Sequence, residues 1–318
     1  INEKESDSTN IVYTFNEILA IVAKLEELTA VSDKIGIAEN REDIAKTLQT
    51  FTETLVIDII GYLIQKYQIY HICLAGGLFL NCLLNHKLLE KYPEITLHIC
   101  PAAGDDGQSI GAAYIAYEYY VDKKLRNINR CSLPYLGISY SNEQIKSVIE
   151  RMHLSYTYYE NRDDLCKIIA TEIFNNKIIG FFTGRSEVGP RALCHRSLLA
   201  NATWNNMKDY LNEKVKHRER FRPFAPVVME EFEQQYFKIK QHSPYMLLAP
   251  TVVAEYASQI PSVVHVDQTA RVQSVNKRNN AFIYQVIKSF YELSEVPVLL
   301  NTSFNDNGEP IVETPQDA

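Results

Sequence analysis

Twice between His71 and Tyr120 the chain repeats one pattern: a short apolar run, a glycine turn, then helical spacing. His71-Ile72-Cys73-Leu74 reads as a buried strand, Ala75-Gly76-Gly77 as a turn, and Leu80 to Lys91 as a helix. Ile95 to Cys100 reads as the next strand, Pro101 to Gly107 as a loop, and Gln108 to Tyr120 as the next helix. Strands that alternate with helices in this way predict an α/β domain. Ligands of such domains sit at the carboxyl ends of the strands, and both glycine loops lie there.

Around this core the pattern continues. Residues 1–40 begin polar and then carry a helical pattern (Ile18, Leu19, Ile21, Val22, Leu25, Leu28). Glu42 to Tyr67 predicts one long helix, with Leu55, Ile57, Ile59, Ile60, Leu63 and Ile64 supplying its apolar face. Residues 122–134 are charged and irregular, as a linker is. Beyond it, Asp163-Asp164 is expected to cap a helix that carries Leu165, Ile168, Ile169 and Ile173 on one face. Ile178 to Thr183 predicts a strand, Tyr245 to Val253 an extended stretch, and Asn280 to Leu293 an amphipathic helix. Val296 to Leu300 predicts a strand that ends in Asn301-Thr302-Ser303-Phe304-Asn305.

A chain of 318 residues with 46 % hydrophobic content has enough material for two ordinary domains. Its net charge of −7 argues against a general nucleic-acid binder. It contains no run of eighteen apolar residues, so neither a transmembrane helix nor a membrane partner is expected. The six cysteines form no CxxC pair, and Cys73 and Cys100 stand in strand-like runs. Reduced, mostly buried thiols and a cytoplasmic location are the expectation.

Against that acidic background one segment is basic. Gly184 to Pro226 holds nine Lys and Arg against four Asp and Glu. Lys208 to Arg220 alone reads as a solvated helix face, with Met207, Tyr210, Leu211 and Val215 turned inward. The flanks read differently. Phe181-Phe182-Thr183-Gly184-Arg185 is a strand running into a glycine turn. Arg222-Pro223-Phe224-Ala225-Pro226 is a rigid turn ahead of the apolar Val227-Val228-Met229. Arg carries a planar fork of donors that matches phosphate and carboxylate oxygens. Cations at strand ends beside turns point to a small anionic substrate.

Three further constellations carry chemistry. Gly76-Gly77, between strand and helix, is either a structural turn or a place where a phosphate approaches the backbone. Asp105-Asp106, between Gly104 and Gly107, is either a solvated turn with a helix cap or a ligand for a hard cation. His265-Val266-Asp267-Gln268-Thr269-Ala270-Arg271 alternates His, Asp, Thr and Arg, and as a strand it would project all four from one face.

Together these stretches resemble the O-carbamoyltransferase family that includes nodulation-factor and antibiotic carbamoyltransferases. The matching texts are LAGGLFLN (74–81), PAAGDDGQSIGAA (101–113), GRSEVGPRALCHRS (184–197), VKHRERFRPFAP (215–226), HVDQTARVQ (265–273) and NTSFNDNGEPIVETPQDA (301–318). The resemblance implies part of an actin/sugar-kinase/heat-shock-ATPase-like domain over residues 1–125. It implies a mixed α+β, YrdC-like domain over 126–318. It further implies that the second domain makes carbamoyl-adenylate from carbamoyl phosphate and ATP with Mg²⁺. The first domain, with Fe or Mn, would then pass the carbamoyl group to a hydroxyl of a sugar or other small molecule.

Carried onto this sequence, the resemblance makes Arg185, Arg191, Arg196, Lys216, Arg218 and Arg222 the candidates to clamp phosphates. His265, Asp267, Arg271, Asn301 and Ser303 would bind carbamoyl or adenosine groups. Gly76, Gly77 and Asn81 would hold nucleotide, and Asp105 the metal. Three departures stand out. The family's metal-binding HxxxH does not occur. Cys194-His195 stand where the family usually has Gly-Asn. The end at Ala318 falls short of the family's usual terminus. A truncated or split copy is the expectation, with the other half of the first domain as a possible separate partner chain. The rival readings are an enzyme of the tRNA threonylcarbamoyl pathway, which the acidic charge and the FRPFAP text disfavour, and a non-catalytic nucleotide-binding remnant.

Overall fold

The computed structural model describes residues 41–121 and 134–318. The helical pattern expected around Ile18 to Leu28, Cys131 and nearly all of the expected linker lie outside the described residues. The chain divides into two compact units. One comprises residues up to Ile72 with Lys87–Thr96, and the other comprises Cys73–His86 with Leu97–Ala318.

In the first unit α1 (Arg41–Tyr67) forms where one long helix is expected, but of the expected apolar face only Ile60 and Ile64 are buried, and Ile59 and Leu63 are exposed. Glu42 and Asp43 open it and Lys66 closes it, each complementing the helix dipole. Val56, Ile60 and Ile64 are buried, and the buried Glu53 carboxylate pairs with the Lys87 ammonium. Gly61 sits mid-helix, where glycine costs about 1 kcal/mol relative to alanine. A Cβ there would lie 2.1 Å from the Tyr92 hydroxyl oxygen, which donates to the Ile57 carbonyl at 3.1 Å. The glycine is what admits that ring.

Strands β1 (His71–Leu74) and β2 (Thr96–Ile99) form a two-stranded sheet. A single 3₁₀ turn at Gly77–Leu80 precedes α2 (Cys82–Lys91), and the Asn81 side chain caps it by accepting from the Leu84 N–H at 3.1 Å. A second 3₁₀ turn at Asp105–Gly107 leads into α3 (Gln108–Tyr120). The sheet is small, and Cys73 and Cys100 are exposed; the buried thiols are Cys166 and Cys194. The expectation of mostly buried thiols fails because apolar spelling cannot show that so small a sheet leaves much of its surface open.

The second unit is built on a five-stranded sheet of β3 (Ile179–Phe182), β4 (Arg196–Asn201), β5 (Ala225–Met229), β6 (Gln273–Val275) and β7 (Val298–Ser303). The order is β3-β4-β7-β5-β6, antiparallel except for the β5–β6 pair. β4 and β5 are buried along their whole length, and β5 (Ala-Pro-Val-Val-Met) accordingly reads as a short apolar run rather than an alternating one. The connections supply α4 (Asn142–Arg151), α5 (Arg162–Phe174), α6 (Met207–Lys214) and α7 (Ala281–Ser294). Cys166, Ala170 and Ile173 of α5 meet Ile283, Val286, Ile287 and Phe290 of α7 over Leu199, Val227 and Leu299 of the sheet. Truncating Phe290 to Ala would cost about 3–5 kcal/mol.

Three expectations are corrected here, and one strand was missed. Asn161, not Asp163-Asp164, caps α5: its Oδ1 accepts from the Asp163 N–H at 2.9 Å. Ile168 is exposed rather than part of the inward face. Tyr245 to Val253 forms no strand and makes only isolated bridges, Phe237 with Val252 and Thr251 with Thr269. Finally, β4 was not legible, because its first two residues are Arg and Ser. Among the described residues no helix is long and apolar enough to cross a membrane.

Candidate active site

The carboxyl ends of β5 and β7 lie at opposite edges of the sheet, since the two strands are antiparallel. The start of β5 is therefore paired with the end of β7, Ala225 opposite Asn301. The basic turn that precedes β5 and the polar end of β7 thus come together. They line a cavity of about 440 Å³ with Arg191, Arg218, Arg222, His265, Arg271, Asn301, Thr302 and Ser303. Cys82 and Leu83, at the start of α2, complete one wall. Four arginines line this space, and among the described residues no Asp or Glu does.

Each cation is held differently. Arg218 donates from Nε to the Asn212 side chain at 2.7 Å, and its guanidinium lies 4.8 Å from the Phe224 ring centre. Arg222 is half-exposed and pairs with Glu219 at 2.8 Å. The Nε groups of Arg191 and Arg271 are buried without a hydrogen-bond partner. Burial lowers the Arg271 pKa to about 10, and the neighbouring Arg191 and Arg218 charges add to the shift. Arg218 is likewise lowered, first by burial and then by Arg222. Burial also lowers His265, so its ring is neutral at neutral pH. Buried donors without acceptors among mutually repelling cations are what an anion would satisfy.

Asn301 is buried at the back of the cavity. Its Nδ2 donates to Gln273 Oε1 at 2.8 Å and to the Ala192 carbonyl at 3.2 Å, while its Oδ1 has no partner. Lys216 stands just behind. Its buried ammonium donates to the carbonyls of Ser303 (2.6 Å) and Asn305 (2.7 Å) and to the Asn305 side chain (2.9 Å). Burial, helped by the Arg218 charge, lowers the Lys216 pKa to about 8.

Several predicted residues fall outside the cavity. Arg196 is buried at the start of β4. Its guanidinium donates to the carbonyls of Thr183 (2.7 Å) and His195 (3.1 Å) and stacks 3.7 Å from the Phe182 ring centre. A cation engaged by the backbone in this way is no clamp for substrate. Arg185 is exposed and donates to the Leu136 carbonyl at 2.9 Å. Lys216 acts from the frame rather than on the wall. The 265–271 stretch is a turn, not a strand. Gln268 has φ of 64° and donates from its backbone to the His265 carbonyl at 3.0 Å. Asp267 is exposed and closes that turn, accepting from the Thr269 N–H (3.0 Å) and hydroxyl (2.7 Å). His265 and Arg271 reach the cavity without Asp267 or a shared strand face. Neither Gly76, Gly77 nor Asn81 lines it.

Sequence reasoning also missed two residues that shape the site. Glu187 Oε1 accepts backbone N–H groups of Leu193 (2.7 Å) and His195 (2.8 Å), fixing the loop that carries Arg191. Asn305 bridges Lys216 and Ser303. No side-chain pattern signals the first, which is one of four acidic residues in the basic segment. Gly189, in the same loop, has φ of 101°, and a Cβ there would lie 2.4 Å from the Pro101 carbonyl oxygen.

The implied metal rests on Asp105. That side chain is exposed, and its Oδ1 accepts from Gln108 Nε2 at 3.0 Å. Among the described residues no three His, Cys, Asp or Glu side chains converge to hold a metal ion. The described residues therefore do not fit an iron or manganese centre.

Comparison with known proteins agrees with the motif reading. A family model for the carbamoyltransferase N-terminus matches residues 7–114, and one for the carbamoyltransferase C-terminus matches residues 170–318. An uncharacterized protein of Synechocystis sp. is 36 % identical over 90 % of this chain and 50 % of its own length. Nodulation protein NolO of Bradyrhizobium diazoefficiens is 35 % identical over 88 % of this chain and 51 % of its own length. Nodulation protein U of Sinorhizobium fredii is 33 % identical over 85 % of this chain and 46 % of its own length. The chain spans about half the length of these relatives. A solved structure of full-length HypF in its phosphate- and nucleotide-bound form superposes with a TM-score of 0.36 at 16 % identity. It covers 65 % of this chain and 30 % of that one, a likeness too distant to assign the fold.

Proposed function

The chain belongs to the carbamoyltransferase family, and from that premise we propose that its arginine-lined cavity activates a carbamoyl group at the expense of ATP. The net change is carbamoyl phosphate, ATP and water to carbamoyl-adenylate, phosphate and pyrophosphate. The observation that carries the reading is the wall itself: four arginines and, among the described residues, no carboxylate around about 440 Å³. Displacement at phosphorus needs positioning and charge stabilisation more than covalent help. Arg191 and Arg271, with their unpartnered Nε donors, suit phosphate oxygens. Arg218, braced by Asn212 and Phe224, offers a fixed fork, and Arg222 closes the open side. Neutral His265 and the unpartnered Asn301 Oδ1 suit the amide of a carbamoyl group or an adenine edge.

In this reading residues 126–318 form the YrdC-like activating domain and residues 1–125 part of an ATPase-like transfer domain. Mg²⁺ would accompany ATP, and the location would be cytoplasmic, where ATP is available. Passage of the carbamoyl group to a hydroxyl-bearing small molecule is assigned to the whole enzyme, whose relatives are about twice as long. Asp105 would be one ligand of a metal completed by other residues. The absence of three convergent ligands among the described residues favours a second, narrower reading: the chain activates carbamoyl but does not transfer it.

The test is pyrophosphate release by the 318-residue chain given carbamoyl phosphate, ATP and Mg²⁺. Arg191→Ala and Arg222→Ala should each lower kcat/KM by about 2–4 kcal/mol of transition-state stabilisation. Unchanged rates in both variants would remove the basic segment from the site.

A further inference from the structure

Among the described residues Cys82 is the one thiol that lines the arginine-lined cavity. It is half-buried and opens α2, directly after the Asn81 cap. Its carbonyl accepts from the Ala249 N–H at 3.2 Å, which ties the start of the helix to another residue of the same wall. The sulfur lies within electrostatic reach of Arg271. As a thiolate it raises the Arg271 pKa, against the larger lowering by burial and by the Arg191 charge.

The cavity that Cys82 shares is short of an anion. Arg191 Nε, Arg271 Nε and Asn301 Oδ1 are buried there without a hydrogen-bond partner, and Asn301 is only 1 % exposed. Walls of one charge sign concentrate small counter-ions in a cleft. A counter-ion that is also an electrophile is then held beside a nucleophile, and such nearness accelerates attack. The other described thiols lack this setting. Cys73 and Cys100 are exposed and lie off this wall. Cys166 and Cys194 are buried, which pushes the first thiol up to about 11 and raises the second as well.

We propose that Cys82 is a modification site for small anionic electrophiles, which the cavity arginines deliver to its sulfur, and that the modified thiol shuts the cavity to phosphate ligands. In the step the thiol proton passes to solvent and the sulfur lone pair forms the bond to the electrophilic carbon. The leaving group departs with the electron pair of the bond that breaks. The acidic group of the adduct stays among the arginines and takes the donors that a substrate anion would use. The inference rests on the anion-binding part of the proposed function and not on its chemistry.

The experiment treats the 318-residue chain with iodoacetate, which is anionic, and in parallel with iodoacetamide, its neutral counterpart. Trypsin cuts after Lys66 and Lys87 and leaves Cys73 and Cys82 in one peptide, so fragmentation by mass spectrometry reads the two labels side by side. At low ionic strength the iodoacetate-to-iodoacetamide rate ratio at Cys82 should exceed that at Cys73 by about tenfold or more, and it should fall towards it in roughly 0.5 M salt. Arg191→Ala and Arg271→Ala should each lower the ratio at Cys82 and leave Cys73 as it was. Pyrophosphate should slow labelling at Cys82 only. Carboxymethylation there should weaken pyrophosphate binding by about tenfold or more, whereas Cys82→Ser should bind pyrophosphate equally before and after treatment. Equal ratios at the two cysteines, or labelling of Cys82 that pyrophosphate does not slow, overturns the site, and both are read on the unsubstituted chain. Undiminished pyrophosphate binding after carboxymethylation overturns the closure. If pyrophosphate protects Cys82 but the chain releases none from carbamoyl phosphate and ATP, the proposed function falls and the modification site stands.

Discussion

The cations on the wall of the arginine-lined cavity and those in the frame behind it are the same residue types from the same basic segment, yet they meet opposite environments. Arg191 lines the cavity, with its Nε buried and unpartnered. Arg196, one turn of text away, also has an unpartnered buried Nε, but it lies off the cavity wall, and its terminal nitrogen donates to the Thr183 and His195 carbonyls while the guanidinium stacks on the Phe182 ring. Lys216 is likewise closed in by Ser303 and Asn305. The difference is register. Arg196 begins a strand buried on both faces, so its side chain must find acceptors in the protein. Arg191 precedes that strand on a loop shaped by Gly189, so its side chain can meet a ligand. Basic residues in a site segment therefore divide into those that hold ligand and those that hold the residues which hold ligand.

The largest expected effect separates these two roles. Arg191→Ala should lose the 2–4 kcal/mol of transition-state stabilisation given above while its unfolding midpoint barely moves. Arg196→Ala should do the reverse, losing on the order of 3 kcal/mol of stability because buried carbonyls lose their donor. Its pyrophosphate release per folded molecule should stay within about threefold of the parent. Denaturant unfolding and rates measured on the same samples decide it. A rate loss in Arg196→Ala as deep as that of Arg191→Ala would put Arg196 back on the wall.

Lys216 gives a test through pH. Its folded pKa is lowered from 10.5 to about 8, chiefly by burial. Between those values the unfolded chain binds a proton that the folded chain does not, so stability rises with pH across that window. Below about 8 both states are protonated and the contribution is flat. The increment is at most about 3 kcal/mol. Tyrosines titrate in the same range, so the readout is the difference between the parent and Lys216→Met. The variant should be less stable throughout, because the Ser303 and Asn305 carbonyls lose their donor, and should lack the rise. Parallel pH profiles would mean that the ammonium is not closed in as the frame requires.

What the sequence made legible follows the same division. Elements defined by spacing were readable: α1, the two strand–turn–helix repeats, and α7. So was the basic segment, and Arg191, Arg218, Arg222, His265, Arg271, Asn301 and Ser303 do meet in one cavity. The inward or outward direction of each cation was not readable, because it depends on strand pairing between residues a hundred positions apart, such as Leu199 with Asn301. The alternation in His265 to Arg271 misled for a local reason. An Asp that accepts from the residue two positions on closes a turn, and this polar spelling serves a turn as well as a strand. Glu187 was invisible because its role is to accept backbone N–H groups, which no side-chain pattern records.

The smallest expected effect concerns Cys194, which stands where the family usually carries glycine. The structure gives a reason for that glycine: φ at Cys194 is +73°, a left-handed conformation that costs a non-glycine residue roughly 1–2 kcal/mol. Against that strain, the thiol is fully buried, and its Sγ accepts from Asn301 Nδ2 at 3.2 Å. Asn301 has Gln273 and Ala192 as further acceptors, so loss of the sulfur leaves no donor unpaired. Cys194→Gly should therefore change stability little, within about 1 kcal/mol and in the stabilising direction. Cys194→Val should lose at least about 2 kcal/mol, because a β-branched residue fits left-handed backbone worst. The parent thiol should also stay unreactive toward a disulfide reagent until the protein unfolds, since burial raises its pKa. A Gly variant that is clearly destabilised, by more than about 1 kcal/mol, would show that packing of the sulfur outweighs the strain. The loop that carries Arg191 would then be set by side-chain contacts rather than by its backbone.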